Sequence, residues 1–311
     1  MAYSCCIEFL CNNYEKMNER NKAFLYLLVT FFAWGSLYVV SKFVLGKVPV
    51  ITIIFIRYFI AGVSLFILNI HKNKKIHSCD YKYIFVIGAI GYFISVSAQL
   101  IGIKFSNASI ASLVNSMNPI MIMIFASLFL KEKLTSKKVI CVIMAVTGAG
   151  IIIGDVKNSG QNIGIIFSII SVILWSIISI VTKKMTEKYE SSIVTMYCMF
   201  VAAACTLPVS IYEVKTTEYL NFDITAVTAL LYMGIFCTAL AYMFWNKSLS
   251  ILEAGTCSLF YPFQPIVSTV LGIIFLGEKI NVNFIVGAAI ILSAVFFSVF
   301  SKKKNMQTES V

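Results

Sequence analysis

Two short stretches, "LVNSMNPIMIMIF" (113–125) and "LFYPFQPIVSTV" (259–270), set amides and prolines into otherwise lipid-like sequence. Asn115 and Asn118 stand three residues apart, as do Tyr261 and Gln264, so each pair shares one helix face. Amides and a phenol donate and accept hydrogen bonds without supplying a charge or a strong nucleophile, which suits recognition of a polar solute rather than bond making. Proline has no N–H, so Pro119 frees the carbonyl of Asn115 and Pro265 that of Tyr261; Pro262 adds a third helix break. An unpaired carbonyl in hydrocarbon costs several kcal/mol, so such breaks belong against protein or a wet cavity. The expectation is a central site faced by amides and loose carbonyls. The alternative is that the amides join helix to helix and the prolines only shape the bundle.

Other side chains repeat at helical spacing. Trp34, Tyr38 and Lys42 form one stripe, and Trp175, Ser179 and Lys183 a second. Tryptophan prefers the membrane interface, so Trp34 and Trp175 at mid-span read as cavity-lining, with Tyr38, Ser179, Gln99 and Tyr242 beside them. Lys42 lies one turn from its helix end and is placed to snorkel. Arg57 lies about 10 Å into its span by helical rise and needs a partner, either backbone carbonyls or a substrate carboxylate. Lys42 and Arg57 are thus the candidate anion-attracting residues. Glu132 and Glu278 end their spans and fit a role at the start of the helix that follows.

The elements that position these residues follow from composition. The chain has 311 residues, is 59% hydrophobic and only 13% charged, too apolar for a soluble domain. Apolar runs of about 20 residues recur near 23–46, 50–70, 82–103, 107–129, 137–154, 162–182, 190–212, 224–246, 254–276 and 281–300, which predicts ten membrane-spanning helices. Short connections leave no room for a soluble catalytic domain. The net charge of +11 is distributed by loop: with a cytoplasmic N-terminus, 18 basic residues fall in inside segments and 5 in outside ones, so both termini are expected in the cytoplasm. That charge orients the chain in the bilayer, and nucleic acid is not expected as a partner.

The nine cysteines show no CxxC spacing and read as small apolar fillers. The first sixteen residues do not read as a signal peptide, and Met17 is an alternative start.

The second half repeats the first. "ASIASLVNSMNPIMIMIFASLFLKEKL" (108–134) aligns without a gap on "AGTCSLFYPFQPIVSTVLGIIFLGEKI" (254–280), an offset of 146 that sets Asn115 on Tyr261 and Asn118 on Gln264. At an offset of 141, Trp34 falls on Trp175, Tyr38 on Ser179 and Lys42 on Lys183; at 143, Gln99 falls on Tyr242. Five spans per half is an odd number, so the halves must cross in opposite directions. The predicted fold is an all-α integral membrane protein of ten helices in two inverted five-helix repeats. Transporters commonly use that plan, with a substrate site at the midplane where the repeats meet.

Ten spans in two halves, the tryptophan of span one, the mid-helix prolines of spans four and nine, and the "LxEK" endings (Leu130, Glu132, Lys133; Leu276, Glu278, Lys279) resemble the EamA branch of the drug/metabolite transporter superfamily. The resemblance covers about residues 23 to 300. It implies a cytoplasmic tail (1–22), a first EamA repeat (23–154), an external linker (155–161), a second EamA repeat (162–300) and a basic cytoplasmic tail (301–311). It further implies export of small metabolites, often amino acids, through a central cavity lined by spans one, three, four, six, eight and nine.

No Asp or Glu falls in the interior of any predicted span, which disfavours cation/proton antiport through a buried carboxylate. Intramembrane hydrolysis would need paired aspartates or HExxH, and neither is present, so an enzyme is not expected. No cofactor or metal site is expected either. The leading reading is an alternating-access exporter of amino acids or similar zwitterionic or neutral compounds in the plasma membrane. Its partners are a small-molecule substrate, the lipid bilayer, and protons or a counter-substrate, with the protein a monomer or homodimer. The alternatives are a multidrug exporter with an adaptable lining (Met117, Met121, Phe260, Phe263), and an exchanger of organic anions or phosphorylated sugars using Lys42 and Arg57.

Overall fold

The computed structural model describes residues 2–71, 75–130, 159–217, 220–252, 254–257, 260–261 and 263–294, with a few positions between 136 and 151. The described residues are helical, with no strand beyond a single bridge between Leu45 and Val48. In chain order the helices are α1 (Ala2–Lys42), α2 (Val50–Asn69), α3 (Ser78–Phe105), α4 (Ala108–Asn115), α5 (Asn118–Leu130), α6 (Ser159–Lys188), α7 (Ser191–Thr216), α8 (Ile224–Ile251), α9 (Ala254–Cys257), α10 (Phe263–Leu276) and α11 (Val282–Ala294). Six of them, α1, α2, α3, α6, α7 and α8, are long and apolar enough to cross a membrane.

The spans expected at 107–129 and 254–276 are broken helices. α4 stops at Asn115, the chain turns through Ser116 and Met117, and α5 restarts at Asn118–Pro119. Proline suits that position because the missing N–H is one the first turn could not use. The span expected at 137–154 and the far end of the last one fall largely outside the described residues, as do Glu132 and Pro262. α1 differs from expectation at its start: it runs from Ala2 rather than from 23, because no Gly or Pro interrupts the first twenty residues.

The exterior is apolar. Ile274 is 66% exposed, Phe275 61% and Leu68 63%, values that suit lipid contact and not water. The interior instead holds many small hydroxyls. Most bond a carbonyl one turn back, as Ser41 does to Leu37, Thr195 to Ser191 and Thr206 to Ala202, so they permit close packing without an unsatisfied group.

The antiparallel pair α2 and α7 is pinned at both ends. Glu213 accepts from the N–H groups of Ile51 (3.2 Å) and Thr52 (2.9 Å) at the start of α2, satisfying orphan donors there. At the other end Ser192 donates to Asn69 at 2.8 Å.

The halves share other details. Lys42 donates to the carbonyl of Ser106 at 2.5 Å, and its repeat mate Lys183 to those of Leu249 (3.1 Å) and Leu252 (3.3 Å). Each lysine thus caps the C-terminal end of the third helix of its own repeat, where carbonyls lack partners and the dipole favours a cation. α3 and α8 both contain a π-helical stretch, Ile87–Ser95 and Ile235–Leu240. Adjacent residues of α2 reach both: Tyr58 donates to the Tyr92 carbonyl (2.5 Å), and Arg57 to the hydroxyl of Thr238, which itself bonds the carbonyl of Met233 five residues back (2.6 Å).

At the end of α10, Gly277 takes the left-handed conformation (φ 62°), turning the chain so that Glu278 folds back. Its carboxylate accepts from the N–H of Ala108 (2.8 Å) and from the N–H (3.2 Å) and hydroxyl (2.5 Å) of Ser109. Glu278 therefore serves α4 of the opposite repeat, not α11 as the order of elements had led us to expect. The start of α11 is capped instead by Asn281, whose side chain accepts from the Phe284 N–H at 2.8 Å.

Candidate functional site

A cavity of about 30 Å³ lies where the repeats meet. α1 contributes Trp34 and Leu37, α3 Ser95, Val96 and Gln99, and the α4–α5 break Asn115 and Asn118. From the second half come Ser171 and Trp175 of α6, Tyr242 of α8, Tyr261 of the turn before α10, and Gln264 of α10 itself. Its volume matches one or two water molecules, so a larger solute is admitted only when the walls move apart. Among the described residues, none that lines it carries a charge.

One wall is aromatic. Trp34, Trp175 and Tyr242 meet one another edge to face, with centroids 5.8, 5.5 and 5.6 Å apart and interplanar angles of 88°, 76° and 83°. Edge-to-face contact sets the positive rim of one ring on the negative face of the next, so the three rings fix each other's tilt. Tyr92 backs the group against Tyr242 at 4.8 Å.

The other wall is amide. Asn118 donates to the carbonyl of Asn115 (2.7 Å), the group that Pro119 leaves without its helical partner. Gln264 closes the equivalent gap through its backbone N–H, which reaches the Tyr261 carbonyl at 3.0 Å. The expected loose carbonyls are therefore not loose: a side chain in one repeat and the backbone in the other pair them. Leaving them open would carry the full desolvation cost of a buried acceptor. Asn118 also accepts from Ser176 (3.1 Å), and Asn115 turns its own amide back to the Ala111 carbonyl (3.0 Å).

Eight residues singled out from sequence, Trp34, Gln99, Asn115, Asn118, Trp175, Tyr242, Tyr261 and Gln264, line this cavity. Tyr38 stands one bond behind it, accepting from Gln99 at 2.8 Å. Ser179 is turned away and donates to the carbonyl of Trp175 (2.8 Å). Lys42 donates to the Ser106 carbonyl, and neither it nor Arg57 is on the cavity wall. Arg57, 1% exposed, donates through Nε (3.2 Å) and Nη2 (3.1 Å) to Thr238, so among the described residues its partner is a hydroxyl and neither a backbone carbonyl nor a carboxylate.

Four lining residues escaped the sequence reading: Leu37, Ser95, Val96 and Ser171. Ser95 is one helical turn before Gln99 and Ser171 one turn before Trp175, so extending each stripe by four residues would have found both.

A family model, the EamA-like transporter family, matches residues 21–154 and again 162–300. The chain is 24% identical to an uncharacterized transporter of Clostridium kluyveri, covering 93% of this chain and 97% of that one. It is 26% identical to an uncharacterized transporter of Archaeoglobus fulgidus, covering 89% and 99%. A solved structure at 16% identity superposes with a TM-score of 0.68 over 91% of this chain and 98% of its own, a likeness of fold.

Proposed function

The chain belongs to the EamA-like transporter family, and from that premise we propose an alternating-access exporter of small zwitterionic or neutral metabolites, amino acids foremost. In this reading ten helices form two inverted five-helix repeats in the plasma membrane, with both termini on the basic, cytoplasmic side. The observation that carries the substrate class is the uncharged lining of a cavity built from four pairs of repeat mates: Trp34 with Trp175, Gln99 with Tyr242, Asn115 with Tyr261, and Asn118 with Gln264. A net charge in such a cavity would stand without a counter-charge. A zwitterion brings its own.

The rival substrates find less support. Met117 and Met121 pack in an apolar cluster with Ile110 and Leu113, Phe260 stacks on Phe24, and Phe263 is 36% exposed. None of the four lines the cavity, so the side chains that would have formed a multidrug exporter's adaptable surface lend that reading no support. An organic-anion exchanger would need Lys42 or Arg57 at the solute, and both are engaged elsewhere.

The test is ligand-induced stabilisation of the purified protein by amino acids, lipophilic cations and sugar phosphates, followed by counterflow in proteoliposomes for any class that acts. A ligand at 100 times its dissociation constant adds about 2.7 kcal/mol of stability. Amino acids are expected to stabilise and to exchange across the vesicle membrane. Stabilisation by cations or sugar phosphates alone would overturn the substrate class.

A further inference from the structure

The two repeats supply the same kinds of residue to the cavity but do not satisfy them equally. In the second half, Trp175 donates its indole N–H to the hydroxyl of Tyr261 at 2.8 Å. The corresponding donor in the first half, Trp34 Nε1, is buried and has no partner among the described residues. The cause is one substitution between repeats: Tyr261 is replaced by Asn115, whose shorter side chain turns back onto the Ala111 carbonyl.

The amides mirror this. Asn118 accepts from Ser176 through Oδ1, whereas its mate Gln264 has a buried Oε1 without a partner among the described residues. Ser176 lies one residue after Trp175, and the matching position after Trp34 is Gly35. Gly35 has no hydroxyl to give, and no side chain fits there: an added Cβ would stand 2.7 Å from Val267 Cβ and 2.9 Å from the Gln264 carbonyl. The close packing of α1 on α10 thus leaves Gln264 without a partner.

Of five buried side-chain polar atoms left unpartnered among the described residues, Trp34 Nε1 and Gln264 Oε1 are the two whose residues line the cavity. One is a donor and the other an acceptor. Natural proteins pair such groups or use them.

We infer that Trp34 and Gln264 are the specificity-determining pair for the solute: Trp34 donates to an acceptor atom at one end, and Gln264 accepts from a donor at the other. The inference rests on the transport reading above and deepens it. It selects solutes that carry both an acceptor and an N–H or O–H donor, and it assigns them one orientation, because the repeat mates of these two atoms, Trp175 Nε1 and Asn118 Oδ1, are already paired.

The experiment compares L-leucine with two one-ended analogues, isocaproate, which lacks the amine, and isoamylamine, which lacks the carboxylate. Binding to the purified full chain is read by thermal shift and titration calorimetry for wild type, Trp34→Phe and Gln264→Met. Trp34→Phe is expected to weaken leucine at least about tenfold, the scale of one lost hydrogen bond in a buried site, and to leave isoamylamine unaffected. Gln264→Met should weaken leucine comparably and leave isocaproate unaffected.

A purely structural role predicts something different. Trp34→Phe gives up ring contacts with Trp175 and Tyr242 and lowers the solute-free melting temperature whatever its role, but a packing defect would weaken leucine, isocaproate and isoamylamine alike, whereas loss of one hydrogen bond spares the analogue that does not use it. Should Trp34→Phe fail to fold, Gln264→Met decides alone. Leucine binding equal to wild type in both variants would overturn the inference and leave the transporter reading standing. A wild type that ignores leucine and both analogues would remove the proposed substrate class, and the inference with it.

Discussion

Glu278 holds Ser109 across the repeat boundary: its carboxylate takes the backbone N–H and hydroxyl of Ser109 together with the N–H of Ala108. The contact depends on Gly272, where an added Cβ would stand 2.8 Å from Glu278 Oε2. Glu278→Ala removes three hydrogen bonds at a helix start and is expected to cost about 1–3 kcal/mol in unfolding free energy. Gly272→Ala should cost less in the Glu278→Ala background than alone. Additive effects in that double-mutant cycle would show that the two residues do not communicate.

Gly35 is a point of close approach between α1 and α10, with Val267 and the Gln264 carbonyl inside the radius of any side chain. Gly35→Ala forces the helices apart, and overpacking of this kind costs about 1–3 kcal/mol. Equilibrium unfolding in detergent should read that loss. A stability unchanged from wild type would mean that the two helices are free to separate.

Asn118→Ala removes both the donor that covers the Asn115 carbonyl and the acceptor of Ser176. Leaving that carbonyl buried and unpaired is expected to destabilise the protein by about 1–3 kcal/mol even without solute. The measurement is the melting temperature of the solute-free variant; one equal to wild type would argue against the repair of the proline break by this side chain.

The repair was half legible. That Pro119 and Pro265 break helices, and that Asn115, Asn118, Tyr261 and Gln264 share the break with the cavity, followed from spacing and from the 146-residue offset. How each freed carbonyl is paired did not, because that depends on which rotamer of Asn118 reaches back and on the turn before Gln264. The partner of Lys42 was hidden for a related reason. Its position near a helix end is visible in sequence, but the carbonyl of Ser106 comes within its reach only once α1 and α3 pack. The exchange of Ser176 for Gly35 stood one residue from the aligned tryptophans and needed only that the comparison be carried one position further. Its meaning came from Val267, which no local pattern connects to Gly35.

Arg57 has a hydroxyl partner and no carboxylate within ion-pair distance among the described residues. A buried cation without a counter-charge is costly, so Arg57→Met is expected to leave stability within about 1 kcal/mol of wild type or to raise it. Thr238 keeps its bond to the Met233 carbonyl in either case. Since the guanidinium is not on the cavity wall, counterflow of a zwitterion by Arg57→Gln should match wild type; loss of transport would bring Arg57 into the site.

Asp223 starts α8, accepting from the Ala226 N–H (2.7 Å) and from Lys47 (2.7 Å). The lysine bond first, and then the backbone N–H, hold its carboxyl below the usual carboxylate range. A depressed pKa gives stability that is present above the unfolded value and is lost as pH falls through the folded one, so the effect belongs to the acid side of about pH 4. Asp223→Asn keeps the cap but cannot titrate, and should flatten the acid limb of a plot of melting temperature against pH. An unchanged acid limb would assign that limb to other carboxylates.

The π-helical stretches of α3 and α8 overlap at the 143-residue offset, where Tyr92 falls on Ile235 and Ser95 on Thr238. A π turn accommodates one residue more than an α turn, so everything after it is rotated relative to what an unbroken α-helix would present. Gln99 and Tyr242 both follow the stretch. Deleting one residue from it would swing each by roughly 100°, one residue's share of a 3.6-residue turn, away from the cavity. The direction in which the cavity's amide and phenol face is therefore set upstream, by two turns that precede them in the chain.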